Sequence, residues 1–209
     1  MKQLGSVTTV LALLLFTRGV QAVEAKDVKR ASDRAGNWLI EQFDRGEKVF
    51  GKGATGKDVT TVAMVVTALC NSPRDYKEAN GPYISEPVKH IITRIKKDGS
   101  LKDADKLSPE APAWVRLALE STKNEKYKPL LETLARAGLE LKKTDAPPAA
   151  DVASMRSALA RAGAADKAQA DALAQELMKL QQKDGSFGED IQVNALALQA
   201  LTYCYKAMK

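Results

Sequence analysis

The sequence has few of the side chains on which most enzyme chemistry depends. Its 209 residues include one histidine, two cysteines and only 5% aromatic residues. Zinc sites use three or four nitrogen and sulfur ligands, so His90, Cys70 and Cys204 are too few to build one. We expect no metal and no other cofactor. With 44% hydrophobic and 28% charged residues, the chain nevertheless suits one globular domain with a sizeable core.

Long hydrophobic runs are also lacking, except for a short one near the N-terminus. Lys2 precedes the apolar stretch 10–16, and small residues follow at 19–22. This pattern is typical of a cleaved secretory signal peptide, and the stretch is shorter than the roughly 20 residues that span a bilayer. We expect removal of residues 1–22, no stable membrane anchor, and a mature domain of residues 23–209 in a periplasmic or extracellular space.

The excess of positive charge is modest and scattered. Removal of residues 1–22 takes away Lys2 and Arg18 and no acid, so the formal net charge falls from +6 to +4. The remaining lysine clusters lie among acids at expected helix ends, without a basic stripe or interleaved aromatic residues. We therefore expect no binding to nucleic acid.

One unit recurs four times along the chain: an amphipathic helix, a loop with Gly or Asp, and a more apolar, alanine-rich helix. The first helices carry apolar residues at helical spacing, around Ala31 to Leu39, Val88 to Ile95, Tyr127 to Leu141 and Leu173 to Leu180. The second helices are predicted at 59–71, 111–121, 151–162 and 192–205. Because the second helices are apolar around most of their circumference, we expect them to form an inner layer.

Several segments predict helix starts. Asp58 is a suitable N-cap, and Ser85-Glu86-Pro87 and the spacing of Asp166 and Gln169 fit the first turn of a helix. Residues 59–69 are β-branched enough for a strand, but equivalence with the other copies favours a helix. The segment 51–58 fits G-x-x-x-x-G-K with Asp in place of the P-loop Ser or Thr, so we expect a loop there.

The most specific stretch is 181–188 (QQKDGSFG), which is followed by 194–201 (NALALQAL). It resembles the Q-x-x-D-G-S-W/F turn and inner helix of the prenyltransferase and squalene-cyclase repeat family, with a weaker copy at 97–101 (KDGSL). The resemblance implies an α/α toroid of paired helices and a place among secreted bacterial proteins with these repeats. Four hairpins are fewer than a complete toroid uses, so an open crescent and a homodimer that completes the ring both stay open.

Departures from the family pattern weigh against catalysis. The acid motif of squalene-hopene cyclases is absent, with Asp103 and Asp105 as its nearest approach, and the zinc ligands of protein prenyltransferases are missing. We expect a non-catalytic protein that binds or scaffolds a partner on its concave face. The alternatives are a terpene cyclase-like enzyme and a carbohydrate-active lyase on the same fold. Gly185 and Phe187 are expected to serve the fold.

Polar positions on the second helices mark the expected concave face. The predicted ligand-binding residues are Thr60, Trp114, Arg116, Ser154, Gln192 and Gln199; no catalytic residue is predicted. Carbocations are stabilised by aromatic faces, so this stripe suits an unidentified polar ligand or a protein segment instead. Cys70 and Cys204 lie near the ends of the first and last inner helices, where an oxidising compartment permits either two buried thiols or a disulfide.

Overall fold

The structure is a computed structural model that describes residues 23–51, 58–104, 106–137 and 150–209. These residues are 69% helical, which confirms the all-α prediction. The α-helices are α1 (Ala25–Glu41), α2 (Val59–Asn71), α3 (Pro82–Arg94), α4 (Ala111–Ser121), α5 (Lys128–Arg136), α6 (Ala150–Ala164), α7 (Lys167–Leu180) and α8 (Ile191–Met208). The predicted signal peptide, most of the loop 51–58, Asp105 and Leu141 lie outside the described residues.

All four segments predicted as second helices are helical. α2 and α4 have the predicted bounds, and α6 and α8 extend slightly beyond them. The β-branched segment of α2 is a helix that is buried along its length and capped by Asp58, which accepts a hydrogen bond from the backbone N–H of Thr61 at 2.9 Å. Asp166 and Gln169 form the predicted capping box at the start of α7.

The core is built around α2 and α8, which pack against each other. Every residue from Val59 to Cys70 in α2 is buried, as is every residue from Val193 to Thr202 in α8. α4 packs beside α2, while α1, α6 and α7 pack on α8. The prediction that all second helices are enclosed is wrong for α4 and α6, because each buries only one stripe of residues.

α3 begins at Pro82, earlier than the predicted start at Ser85. Proline has a backbone φ suited to the first helical position and lacks only an N–H that would be unpaired there. Pro87 therefore lies inside the helix, where its missing N–H leaves the carbonyl of Tyr83 without its helical donor.

A small antiparallel sheet, which no sequence pattern predicts, joins α1 to the segment before α2. Its strands are β1 (Phe43–Asp44) and β2 (Val49–Phe50). The rings of Phe43 and Phe50 meet edge to face with centroids 5.6 Å apart, and Asp44 accepts hydrogen bonds from the N–H groups of Gly46 and Glu47 in the turn. Strands of two residues show no alternating pattern, so no sequence signal was available.

Two Asp-Gly-Ser turns share the same internal hydrogen bonds. After α7, Asp184 Oδ1 accepts from the backbone N–H and the hydroxyl of Ser186 at 2.9 and 2.8 Å. After α3, Asp98 Oδ1 accepts from the same two groups of Ser100 at 3.0 and 2.8 Å. The weaker sequence copy at 97–101 is therefore a structural copy of the turn as well.

Each of these turns packs closely against a helix of another repeat. A Cβ on Gly185 would lie 2.8 Å from the carbonyl oxygen of Arg34 in α1, and a Cβ on Gly99 would lie 2.7 Å from that of Thr133 in α5. Both glycines also have positive φ, at +95° and +86°. Glycine is thus required twice over at each turn, which confirms the structural role expected of Gly185.

Candidate functional site

Three of the predicted ligand-binding residues lie on the packed helices α2 and α8. Thr60 is 2% exposed and Gln199 is 7% exposed. Gln192 Nε2 donates to Thr61 Oγ1 at 2.8 Å, and Gln199 Nε2 lies 3.5 Å from the carbonyl oxygen of Met64. These two amides therefore hold the central helices in register.

The other three predicted residues lie on α4 and α6. Trp114 is partly buried against the core, Arg116 is exposed and pairs with Glu120 at 2.7 Å, and Ser154 is exposed. No hydrogen bond or ion pair of the described residues joins two of the six predicted residues. Their joint role in ligand binding stays a prediction.

The hydroxyl of Thr60 is buried and has no hydrogen-bond partner. Other threonines in the core donate to the carbonyl four residues earlier, as Thr67 does to Ala63 and Thr202 to Leu198, both at 2.8 Å. Thr60 lies in the first turn of α2, so the residue four positions earlier is not part of the helix and offers its hydroxyl no helical carbonyl acceptor. A buried hydroxyl without a partner costs about 1–3 kcal/mol, and a ligand or water oxygen would remove this cost.

The register of α2 and α4 indicates what Thr60 faces. Asn71 Nδ2 donates to Ser121 Oγ at 2.8 Å, which brings the C-terminal ends of the two packed helices together. The two residues are 50 positions apart, and the same offset sets Glu110 opposite Thr60. Thr60 and Asn71 share one face of α2, since they are about three helical turns apart. Thr60 therefore faces the N-terminal end of α4.

Glu110 forms an ion pair with a third helix. Arg156 Nη1 of α6 donates to Glu110 Oε1 at 2.5 Å, although α4 and α6 do not pack extensively. The Nε of Arg156 is buried and has no hydrogen-bond partner. Trp114 lies one turn after Glu110, on the same face of α4. We call Thr60, Glu110, Trp114 and Arg156 the inner end.

Sequence reasoning found Thr60 and Trp114 but missed Glu110 and Arg156. The ion pair joins residues 46 positions apart, and a single sequence contains no signal for such a pairing. Both are ordinary surface residue types, Glu110 at the start of α4 and Arg156 within α6, and solvation is the usual outcome for such residues. The position of Arg156 is the one available signal, because it places a long charged side chain among the small residues of α6.

The inner end is suited to recognition of a polar group. The hydroxyl of Thr60 can donate or accept, Arg156 Nε can donate, and Glu110 retains an oxygen that can accept. Within the described residues, no group of three or more His, Cys, Asp or Glu side chains could hold a metal ion. None of the helices in this part of the chain is long and apolar enough to cross a membrane.

Cys70 and Cys204 are free and buried. Hydrogen bonds join α2 and α8 at residues 131 and 135 positions apart in sequence. Cys70 and Cys204 have a similar sequence separation, so they lie at a similar level along the two helix axes. Cys70 is two and a half turns from Thr61, so the two side chains project to opposite sides of α2. Burial raises the pKa of Cys70 to about 12 and that of Cys204 to about 11, so both thiols stay protonated near neutral pH.

Comparisons of the chain with protein-family models, with curated proteins and with solved structures found no match.

Proposed function

We propose that the helices form four hairpins that follow one another around a ring, in an α/α-toroid-like arrangement. Support comes from the two Asp-Gly-Ser turns. The turn of the second hairpin packs on α5 of the third, and the turn of the fourth packs on α1 of the first. The last hairpin thus meets the first as the second meets the third. This equivalence favours a ring completed within one chain over a homodimer that completes it.

The weakest junction of this ring is between α4 and α6. The pairs α2 and α4, α2 and α8, and α6 and α8 each pack along their lengths. At the fourth junction an ion pair of Glu110 with Arg156 links the two helices. A ligand or partner segment would therefore gain access to the inner helices at this junction.

At the inner end, the protein would act as a non-catalytic binding protein for a polar ligand or protein segment. The observation that carries this proposal is the pair of buried polar atoms without partners, Thr60 Oγ1 and Arg156 Nε. Each costs free energy in the unliganded protein, and polar groups of a ligand that pair with them would remove this cost. Glu110 would accept a proton-bearing group of the same ligand.

The enzyme alternatives receive less support from the inner end. A terpene cyclase-like site needs several aromatic faces to stabilise a carbocation, and the inner end offers only Trp114. A lyase needs a group that removes a proton from the sugar, and Glu110 is already paired with Arg156. Incubation with squalene or a prenyl diphosphate, followed by mass spectrometry of the extract, tests the first alternative, and turnover would overturn the non-catalytic proposal.

The proposal includes export to the periplasm or the cell exterior after removal of residues 1–22. In support, the backbone nitrogen of Val23 donates to Asp171 Oδ1 of α7 at 2.9 Å. Cleavage before Val23 would make this nitrogen an ammonium group and turn a hydrogen bond into an ion pair. The intact mass of the exported protein tests this, and a dominant species that retains residues 1–22 would contradict it.

Ligand binding is tested by native mass spectrometry of protein purified from its own compartment. We expect the wild type to retain a bound molecule and Thr60→Val to lose at least about nine-tenths of it, because valine keeps the shape and removes the hydroxyl. Thr67→Val on the same face of α2 is the matched control, since Thr67 bonds its own helix at Ala63. Its ligand content should match that of the wild type.

The thermal stability of the ligand-free variants separates binding from folding. Thr60→Val should unfold at or above the wild-type temperature, because it removes an unpaired buried hydroxyl. A wild-type protein without bound molecules, or equal ligand contents in Thr60→Val and Thr67→Val, would contradict the proposed function.

A further inference from the structure

A groove of about 570 Å³ lies on the exposed side of α1, apart from the inner end. Its walls are the exposed stripe of α1, Arg74 from the loop after α2, and Met178 of α7. Arg30, Arg34 and Asn37 lie along this stripe at helical spacing, so their side chains project to the same side. The groove therefore collects three guanidinium groups, those of Arg30, Arg34 and Arg74.

Arg34 is held in place without being neutralised. Its Nη2 donates to Gln181 Oε1 at 2.6 Å. Gln181 is itself fixed, because its Nε2 donates to the carbonyl oxygens of Ala31 and Gly185, both at 2.9 Å. No carboxylate of the described residues forms an ion pair with Arg34. The glutamine thus orients the guanidinium while its positive charge stays available.

Arg74 is fixed from the other side of the groove. Its Nη1 donates to Asn37 Oδ1 at 2.7 Å and to Tyr76 Oη at 3.1 Å. Its Nε lies 3.1 Å from Asp33 Oδ1, as an ion pair whose angle falls short of a hydrogen bond. Within the described part of the chain, these contacts leave both protons of Nη2 without an acceptor.

The charges of the groove do not balance. Two carboxylates, Asp27 and Asp33, face the three arginines. Asp27 pairs with Arg30 at 3.4 Å, and Asp33 is shared by Arg74 and Lys29, the latter at 2.9 Å. One carboxylate is therefore divided between two cations, and Arg34 has none. The groove has an excess of positive charge and two oriented guanidinium groups.

We propose that this groove is an oxyanion-binding site, in which Arg34 and Arg74 hold a phosphate or carboxylate group of an acidic ligand. Guanidinium groups bind such groups through paired N–H donors in a planar fork. Fixed partners on both arginines lower the entropy that binding must remove, and Met178 gives the ligand an apolar contact. The site stands on residues that the inner end does not use, so either can fail without the other.

Isothermal titration calorimetry of the mature protein at low salt is the test, with pyrophosphate and trigalacturonate as separate probes and maltotriose as the uncharged control. We expect at least one acidic probe to bind, which identifies the phosphate or the carboxylate source, and no heat with maltotriose. Binding should weaken as salt rises, because the attraction is screened. No heat with either acidic probe, or equal heat with maltotriose, would overturn the proposal.

Variants locate the site. Arg34→Gln should weaken binding about tenfold, and Arg34→Lys should recover only part of this loss, because lysine keeps the charge and loses the planar fork. Arg161→Gln is the matched control, an exposed arginine of α6 that pairs with Glu176 and removes the same charge elsewhere. Equal weakening by Arg34→Gln and Arg161→Gln would show attraction by net charge alone and reject the groove.

Discussion

Gly185 is a residue at which both the backbone conformation and the neighbouring backbone oppose a side chain. Its φ of +95° is unfavourable for other residues, and its α-carbon faces the backbone of Arg34 rather than a movable side chain. The same turn keeps Phe187 half-buried against the core, with its N–H donating to Asn194 Oδ1 at 2.8 Å. Because the phenyl ring of Phe187 is not fully buried, Phe187→Ala should lower the free energy of unfolding by less than the approximately 3–5 kcal/mol that a fully buried aromatic residue contributes.

Gly185→Ala should lower the free energy of unfolding by about 2 kcal/mol or more, because the new Cβ is strained by φ and crowds a backbone carbonyl. For a domain of this size that corresponds to a fall of about 4–8 °C in the melting temperature. Gly163→Ala is the matched control: a Cβ there meets nothing within 4 Å in α6, and alanine should leave stability unchanged or raise it. Equal effects of the two substitutions would contradict the packing of this turn on α1.

Between helices, Glu78 connects the 3-10 helix Glu78–Asn80 to the segment between α4 and α5. Its Oε1 accepts from Asn124 at 2.8 Å, and its Oε2 accepts from Lys126 and the hydroxyl of Tyr127, both at 2.9 Å. Burial raises the pKa of Glu78, but the hydrogen bonds from Lys126, Asn124 and Tyr127 outweigh burial and lower the pKa below its usual value. The carboxylate form is therefore favoured by folding.

Glu78→Gln should lower the free energy of unfolding by about 1–2 kcal/mol at pH 7, because glutamine cannot pair with Lys126 and fill all three contacts. The contribution of a carboxylate with a lowered pKa is present above its unfolded value of about 4.5 and is lost as pH falls through the folded value. Urea denaturation at a series of pH values should show the gap between wild type and variant narrowing below about pH 4.5.

Glu120→Gln provides the comparison for Glu78→Gln. Glu120 is an exposed partner of Arg116 on the same helix, and such pairs contribute about 0.5 kcal/mol or less. If the two variants lose the same stability, or if the Glu78 gap stays constant with pH, the lowered pKa has been wrongly assigned to this contact.

On the scale of the whole molecule, Val23 is hydrogen-bonded to α7, which is distant in sequence. Val23 is partly buried against the core, and its backbone nitrogen meets Asp171 of α7 across 148 positions of sequence. Asp171 Oδ2 also accepts from Gln175 at 3.3 Å. Under the proposed processing, cleavage would strengthen the contact between Val23 and α7.

Asp171→Asn should destabilise a chain that begins at Val23 by about 1–2 kcal/mol, since an ammonium group loses its charged partner. In a chain extended by two alanines before Val23, the same substitution should cost clearly less, because a peptide N–H replaces the ammonium. Chemical denaturation of the four proteins gives the coupling energy of a double-mutant cycle. A coupling energy of zero would show that the free N-terminus has no part in the contact.

The sequence by itself determined part of the local structure. Asp58 as a cap, Asp166 with Gln169 as a capping box, and the helix at 111–121 follow from interactions between residues a few positions apart, whereas the helix at 59–71 follows from its equivalence with the other copies. These interactions stabilise a helix wherever the chain places it, and their signals are therefore present in any short window of sequence.

Only the tertiary structure decided which residues meet. The ion pair of Arg156 with Glu110 and the bond of Arg34 to Gln181 join residues 46 and 147 positions apart. The enclosure of α2 and α8, in contrast to the half-exposed α4 and α6, likewise depends on their neighbours. Apolar periodicity indicates which face of a helix is buried but not which element covers it. Polar residues that are distant in sequence form pairs only when the packing of the helices brings their side chains to the same level and points them towards each other.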